Sequence, residues 1–276
     1  MVRFSDFIRL IRYGNCAMSA VAALLGALVS RGPDVLLHPE AAGAAMAVVF
    51  LFTGAGNTIN DYLDAEIDRK AHPERPIPSG TVERSEAKSF SVIMFSASLL
   101  ISLFINLPAV GIVVLSLAVM LFYEFRLKKA GISGNLAIAW LTASLFLFGA
   151  VSVGSAAAVW ALFVTSFMAT LGREIIKDIQ DVESDRGSRK TLPMSIGIGG
   201  SRIVASVSIA AAVAVSPFPF MLHQFSYPYL AVVAVADMMF IYSALQQYSS
   251  PARAQSSTKM AMYVALLAFL VGALGV

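Results

Sequence analysis

Charge is what this 276-residue chain most lacks. Only 13% of its residues are Asp, Glu, Lys or Arg, while 58% are hydrophobic. An ordinary soluble domain is about a quarter charged. A soluble fold of this length would have too few polar side chains to cover its core, and the mean hydropathy of +0.75 points the same way. The fold class that remains is all-α, a polytopic membrane protein. Cysteine is nearly absent too. Cys16 stands alone, so no intrachain disulfide forms, and its place in an apolar run makes it a small packing residue. The histidines His38, His72 and His223 are far apart and follow no metal-ligand spacing, which argues against a zinc centre. No small-residue cleavage pattern follows the first apolar run, so no cleaved signal peptide is expected. No linker, soluble domain or low-complexity tract interrupts the chain, and residues 1–276 read as a single transmembrane domain.

What is present is a series of apolar runs. A hydrocarbon core of about 30 Å needs about 20 apolar residues per helix. Nine segments qualify: 13–30, 41–64, 89–106, 108–123, 133–154, 156–180, 201–222, 227–248 and 259–275. The third and fourth meet at Leu107-Pro108, where proline suits a tight turn. With the N-terminus inside, 19 of the 20 Lys and Arg residues fall on the inner side and only Arg31 falls outside. Missing or adding one helix would scatter that asymmetry, so the positive-inside rule supports nine transmembrane helices in a bundle. The expected location is the cell membrane, with the N-terminus and the active site cytoplasmic and the C-terminus outside.

The inner loops after the second and sixth spans are long and charged, and each begins with an acidic cluster. The first holds Asn57, Asn60, Asp61, Asp64 and Asp68. The second holds Asp178, Asp181 and Asp185, each 117 residues after its counterpart Asp61, Asp64 or Asp68. Pro76 and Pro193 share the same offset, which suggests an internal repeat in which helices 2–5 are echoed by 6–9. If the second span continues as a helix, Asn60, Asp64 and Asp68 lie at i, i+4 and i+8 on one face, with Asn57 and Asp61 flanking it. In the sixth span Lys177, Asp181 and Asp185 repeat that spacing, and Glu174 adds an acid one turn earlier.

Carboxylates one turn apart repel unless cations are bound. Magnesium takes hard oxygen ligands and completes its shell with substrate phosphate oxygens, whereas zinc prefers the His and Cys that are scarce here. Two facing clusters could therefore hold Mg2+ ions that clamp a diphosphate, with Arg75, Lys128, Arg173 and Lys177 neutralising the remaining charge. The alternative is that these are solvated helix ends, and the matched spacing argues against it. Tyr123, Glu124, Arg126 and Lys128 follow the fourth span on the same side; snorkelling bases at a membrane edge are their plainer explanation. Gly134-Asn135 opens the fifth span, where Asn135 reads as an N-cap. Trp140 and Trp160 read as interface or packing residues. Asp237, mid-span, is either paired within the bundle or beside a cavity. Repeated helices with charges also describe a secondary transporter, but a transporter needs polar groups near the midplane and access from both sides.

At these residues the chain resembles a known family. Asn60-Asp61-x-x-Asp64-x-x-x-Asp68 followed by Arg75-Pro76-Ile77-Pro78-Ser79-Gly80 looks like the first signature of the UbiA superfamily of intramembrane prenyltransferases. Asp178-x-x-Asp181-x-x-x-Asp185 resembles the second, and Tyr123 to Lys128 with Gly134-Asn135 resembles two shorter elements. The resemblance covers nearly the whole chain. It departs at Glu183-Ser184-Asp185, where Glu-Gly-Asp is expected; the carboxylate is kept. The strings Gly56-Asn57-x-x-Asn60-Asp61-Tyr62 and Gly172-Arg173-Glu174-Ile175-x-Lys177-Asp178 are most similar to the branch of the family that makes archaeal ether lipids.

That resemblance implies Mg2+-dependent transfer of a geranylgeranyl group from geranylgeranyl diphosphate to the free glycerol hydroxyl of geranylgeranylglyceryl phosphate, releasing diphosphate. It implies Asn60, Asp64, Asp68, Asp181 and Asp185 as metal ligands. Asp61 and Asp178 join the catalytic acids, and Asn57, Asn60, Arg75, Tyr123, Lys128, Arg173 and Lys177 bind substrate. Chlorophyll synthases share Arg-Pro-Ile-Pro-Ser-Gly, so a chlorophyllide or an aromatic quinone precursor stands as an alternative acceptor. The partners implied are the prenyl diphosphate, a lipid acceptor and the membrane, with no nucleic acid and no obligate protein partner.

Overall fold

The computed structural model describes residues 4–37, 39–186 and 189–275; Arg3 and His38 lie outside them. A short helix absent from the sequence reading comes first, α1 (Phe4–Ile11), which buries Leu10. Arg12 then adopts a left-handed conformation, φ 54°, and turns the chain into α2 (Tyr13–Arg31), which ends at Gly32, φ 69°. Next is α3 (Pro39–Ala71), with 33 residues. At 1.5 Å per residue it is about 50 Å long, well beyond the hydrocarbon core, so its acidic end reaches the membrane edge. Helix α4 (Arg84–Leu103) starts at a reciprocal capping box between Glu83 and Glu86. Asn106 caps α5 (Leu107–Phe125) by accepting from Ala109 N–H at 2.8 Å, with Pro108 in the first turn. The turn expected at Leu107-Pro108 is present for that reason.

The chain continues through α6 (Ile132–Val153), α7 (Trp160–Gln180) and α8 (Leu192–Val215), the last broken at Gly197, φ 78°. A short α9 (Phe218–Met221), α10 (Tyr227–Gln246) and α11 (Pro251–Ala273) complete it. Among the described residues, nine helical segments are long and apolar enough to cross a membrane. Their number agrees with the sequence; several starts do not. Helices α4, α8 and α11 begin at Arg84, Leu192 and Pro251 rather than 89, 201 and 259. Their first turns are polar or broken, and hydropathy alone reads them as loop.

Helices α6 and α7 form the centre, with 61% and 67% of their apolar windows buried against 17% for α5. The contact of α2 with α6 is made by glycines. A Cβ on Gly149 would fall 1.8 Å from the Ala23 carbonyl oxygen, and one on Gly26 would fall 2.0 Å from that of Phe146. Small residues are how apolar helices approach when lipid is as greasy as their side chains. Around this pair Leu28, Phe146, Leu162, Tyr229 and Phe269 pack as one buried cluster.

Three sequence readings away from the acidic clusters resolve here. Cys16 is buried and donates to the Ile11 carbonyl. Asp237 is paired within the bundle: Ser216 donates to it at 2.6 Å, and the Ser216 carbonyl accepts from the Tyr229 hydroxyl. Trp140 and Trp160 pack edge-on against Phe163 and Phe218.

Candidate active site

The ion pairs of the described residues gather where α3, α5 and α7 end and α2 begins. The acids of α3 divide into two sets. Asp61 and Asp68 face α1 and the loop after α3. Asp61 accepts from Arg12 at 2.5 Å and lies 3.6 Å from Arg75, while Asp68 accepts from Arg75 at 2.6 Å. Asn60 and Asp64 face α5. Asp64 accepts from Lys128 at 2.5 Å, and Asn60 donates to Glu124 at 2.8 Å. Lys128 and Glu124 are themselves 3.4 Å apart.

This partly corrects the single-face reading of Asn60, Asp64 and Asp68. At 3.6 residues per turn, i+8 has drifted about 80° from i, whereas i+7 is only about 20° off. Asp68 therefore stands above Asp61, not above Asn60. Asn57, one turn below Asp61, donates to the Ile11 carbonyl at 2.7 Å and ties α3 to the end of α1.

The second cluster is not a continuous helical face. Helix α7 ends at Gln180, and Asp181 to Arg186 form turns. Asp178, still on α7, is buried and accepts from Asn135 at 2.9 Å. Asn135 is thus not the N-cap of α6, which Gly131 provides, but a buried partner of the acid. Past the helix end, Asp185 accepts from Arg189 at 2.8 Å. Burial works against the Arg189 cation, but its bond to Asp185 and the charges of Asp185 and Asp178 raise its pKa above the ordinary value. Asp181 is half-buried and carries no cation among the described residues. Arg173 is held by Glu174 at 2.5 Å.

The 117-residue echo therefore does not extend to local structure. The first triad lies wholly on a helix and the second runs off one. Pro76 sits in a turn, while Pro193 is in the first turn of α8.

Two cavities meet at this end. One, of about 300 Å³, runs between α2, α3, α5 and α6 and is lined mainly by apolar side chains such as Val48, Phe52, Ile112 and Phe148. Asn57 and Tyr123 supply polar groups on its wall. The other is polar, about 40 Å³, with Lys128, Asn135, Glu174, Lys177, Asp178 and Arg189 in its wall. Tyr123 and Ile138 line both, so the greasy chamber and the charged pocket adjoin there. Gly134 allows this: a Cβ there would lie 2.7 Å from the Leu127 carbonyl, and the Tyr123 ring packs alongside.

The structure thus brings Tyr123, Lys128, Lys177 and Asp178 to one pocket, and Asn60 and Asp64 to it through Lys128. It sets Asp61, Asp68 and Arg75 in an adjoining network. Among the described residues no three His, Cys, Asp or Glu side chains converge on one point suited to a metal ion. The donor types still fit a hard divalent ion: Asn60, Asp64, Asp68, Asp181 and Asp185 all offer oxygen. Sequence reasoning missed Arg12 and Arg189 as partners of the acids, and it assigned no role to Glu124. Only the positive charge of Arg12 and Arg189 on the acidic side hinted at it.

Comparison with known proteins places this arrangement in context. The profile of the UbiA prenyltransferase family matches residues 19–270. A digeranylgeranylglyceryl phosphate synthase of Methanosarcina mazei is 37% identical over 281 residues, covering 96% of this chain and 97% of that one. One from Natronomonas pharaonis is 36% identical, covering 100% and 99%. A solved structure of a digeranylgeranylglyceryl phosphate synthase superposes with TM-score 0.90 at 35% identity, covering both chains fully. A UbiA homologue from Archaeoglobus fulgidus, solved with DMAPP and Mg2+, shares the fold at TM-score 0.70 and 14% identity, covering 96% of this chain and 99% of that one.

Proposed function

Starting from the fact that the chain belongs to the UbiA prenyltransferase family, we propose that it transfers a geranylgeranyl group from geranylgeranyl diphosphate to the free hydroxyl of geranylgeranylglyceryl phosphate. The observation that carries this reading is the joined pair of cavities. An apolar chamber suits an isoprenoid tail, and it abuts a charged mouth suited to phosphate groups. The choice of acceptor follows the full-length relatives named for that reaction. In this reading the chain is a cell-membrane protein with the N-terminus and the charged end cytoplasmic and the C-terminus outside.

The tail lies among Val48, Phe52, Ile112 and Phe148, which exclude water from the reacting carbon. The diphosphate lies at the mouth between the two acidic clusters. Asn60, Asp64 and Asp68 on one side and Asp181 and Asp185 on the other would hold magnesium there. Bound magnesium would neutralise charge that builds on the leaving diphosphate. Arg75 and Lys128 beside the first cluster, and Arg173 and Lys177 beside the second, add fixed positive charge that favours the same leaving group. Tyr123, at the junction, presents its ring where the allylic carbon becomes cationic. Asp178, in the wall of the polar pocket, is placed to take the proton of the attacking hydroxyl while Asn135 holds its other side. Asp61 acts through Arg12 and Arg75 to fix the mouth.

The test is product identification by mass spectrometry. Purified protein is given geranylgeranyl diphosphate, Mg2+ and a choice of geranylgeranylglyceryl phosphate, an aromatic quinone precursor or a chlorophyllide. The proposal expects the doubly prenylated glyceryl phosphate. Product on an aromatic or chlorophyllide acceptor alone would assign a different branch of the family.

A further inference from the structure

Nine helical segments among the described residues account for their exposed apolar side chains by being able to cross the bilayer; α1 is not one of them. It has 8 residues and would span only about 12 Å. Yet Phe4 is 81% exposed and Ile8 39% exposed. At about 100° per residue the two lie about 40° apart, so they form one stripe. Ser5 and Arg9 form the next stripe, about 100° further round. The rest of the apolar surface of α1 is already used. Leu10 is buried with Val82 and Ala87, and Phe7 packs edge-on against Phe90 at 4.8 Å. Phe4 and Ile8 are a second apolar face, and it is open among the described residues.

The position of α1 says what covers this face. Arg12, left-handed at φ 54° and ψ 63°, breaks the axis between α1 and α2, so α1 does not prolong the first span. Straight after that corner stands Tyr13, 58% exposed, an aromatic of the kind that gathers at the bilayer interface. Further along α2, Met18 and Val21 are exposed as lipid-facing residues of a span are. The open stripe of α1 therefore begins where the lipid-facing surface of α2 ends. A helix with an apolar stripe and a basic residue on its flank, lying off the axis of the spans, has the makings of an interfacial helix. We propose that α1 lies in the bilayer interface at the charged end of the bundle, with Phe4 and Ile8 among the headgroups and first acyl carbons, and that this seat fixes the mouth around Asp61.

The second half follows from what α1 holds. Arg12, at its end, donates to Asp61, and the Ile11 carbonyl accepts from Asn57 at 2.7 Å. Arg9 donates to the Glu74 carbonyl at 3.1 Å, beside Arg75, which pairs with Asp68. Ile77 and Val82 of the same loop pack with Leu10. Helix α1 thus grips both the acids of α3 and the loop that neutralises them. A helix this short is marginal by itself, so burial of its second face in lipid holds the grip in place. The effect on the mouth rests on the transfer reaction proposed above; the lipid seat does not.

Two measurements test the two parts. A nitroxide is placed at Phe4→Cys, Ile8→Cys or Ser5→Cys, each with Cys16→Ala, in protein reconstituted into vesicles of a neutral phospholipid. Power saturation compares collisions with oxygen, which concentrates in lipid, and with a nickel chelate, which stays in water. Labels at positions 4 and 8 are expected to favour oxygen, and the label at 5 the chelate. Preference for the chelate at 4 and 8 would put the stripe in water, and exclusion of both reagents would put it against protein, such as a second copy; either result overturns the seat. The mouth is read by equilibrium binding of radiolabelled geranylgeranyl diphosphate with Mg2+ and no acceptor. Phe4→Ser with Ile8→Ser is expected to weaken binding about tenfold. Phe4→Leu with Ile8→Val keeps the wild-type affinity, and Arg12→Met added to the serine pair weakens binding no further. Unchanged affinity in the serine pair, or full additivity with Arg12→Met, overturns the positioning role. Absence of binding by the wild-type protein would refute the donor assigned above and the positioning role with it, while the labels decide the seat by themselves.

Discussion

The pairing of Arg12 with Asp61 makes a prediction that separates the tether at the mouth from its chemistry. Asp61 is 3% exposed and accepts from Arg12 at 2.5 Å, with Arg75 farther away at 3.6 Å. Replacing Arg12 by Met removes the nearer cation and leaves a buried carboxylate with its weaker partner. A hydrogen bond to a charged group is worth about 1.5–3 kcal/mol. The Arg12 side chain is 37% exposed, so water screens part of that, and the lower end, about 1–2 kcal/mol, applies. Arg12 also occupies a left-handed conformation, φ 54°, which costs about 1 kcal/mol or more by itself and persists only when its surroundings impose it. The assay is a double-mutant cycle of Arg12→Met and Asp61→Asn, read by reversible unfolding in mixed micelles. The expected coupling is about 1–2 kcal/mol, with each single variant less stable than wild type. Additivity within about 0.5 kcal/mol would show that the two side chains do not act as a unit and would refute the tether.

Other predictions follow from single contacts. Gly149→Val places a side chain where the Ala23 carbonyl oxygen already lies 1.8 Å from a Cβ, so α2 and α6 must separate; stability is expected to fall by about 3 kcal/mol or more, read by thermal unfolding in detergent. Val48→Phe narrows the apolar chamber nine residues, or about 13 Å, below Asn57. It is expected to shift preference from a twenty-carbon donor toward a ten-carbon one, measured as the ratio of kcat/KM values. Asn135→Leu removes the donor to buried Asp178 and is expected to lower transfer at least tenfold with little change in donor affinity, measured by single-turnover kinetics.

Much of this architecture was legible in the sequence because the bilayer imposes a simple rule on composition. Apolar length marked nine spans, and Leu107-Pro108 marked the turn between two of them. What hydropathy missed was helix outside the greasy core: α1, and the first turns of α4, α8 and α11, where polar residues or Gly197 interrupt the signal. The candidate site shows a similar division. The acidic residues stood out because carboxylates are costly in so apolar a chain. Their partners did not, since Lys128 lies 64 positions from Asp64 and Asn135 lies 43 from Asp178. Spacing arguments see one helix at a time. The i, i+4, i+8 row also failed on a detail that arithmetic could have supplied, the drift that stacks Asp68 over Asp61. Lys177, Asp181 and Asp185 were read together because they repeat the spacing of Asn60, Asp64 and Asp68; the chain leaves the helix at Gln180 all the same.

The central claim is that both acidic clusters act together, through divalent ions, on one diphosphate. Asp64→Ala and Asp181→Ala test it most directly, one from each cluster, in single-turnover transfer from geranylgeranyl diphosphate with Mg2+ titrated and folding checked by gel filtration. The account predicts that each variant folds, that each loses transfer by about a thousandfold or more, and that chelating divalent ions stops the wild-type enzyme. Full transfer by either folded variant, or wild-type transfer without divalent ions, would contradict it.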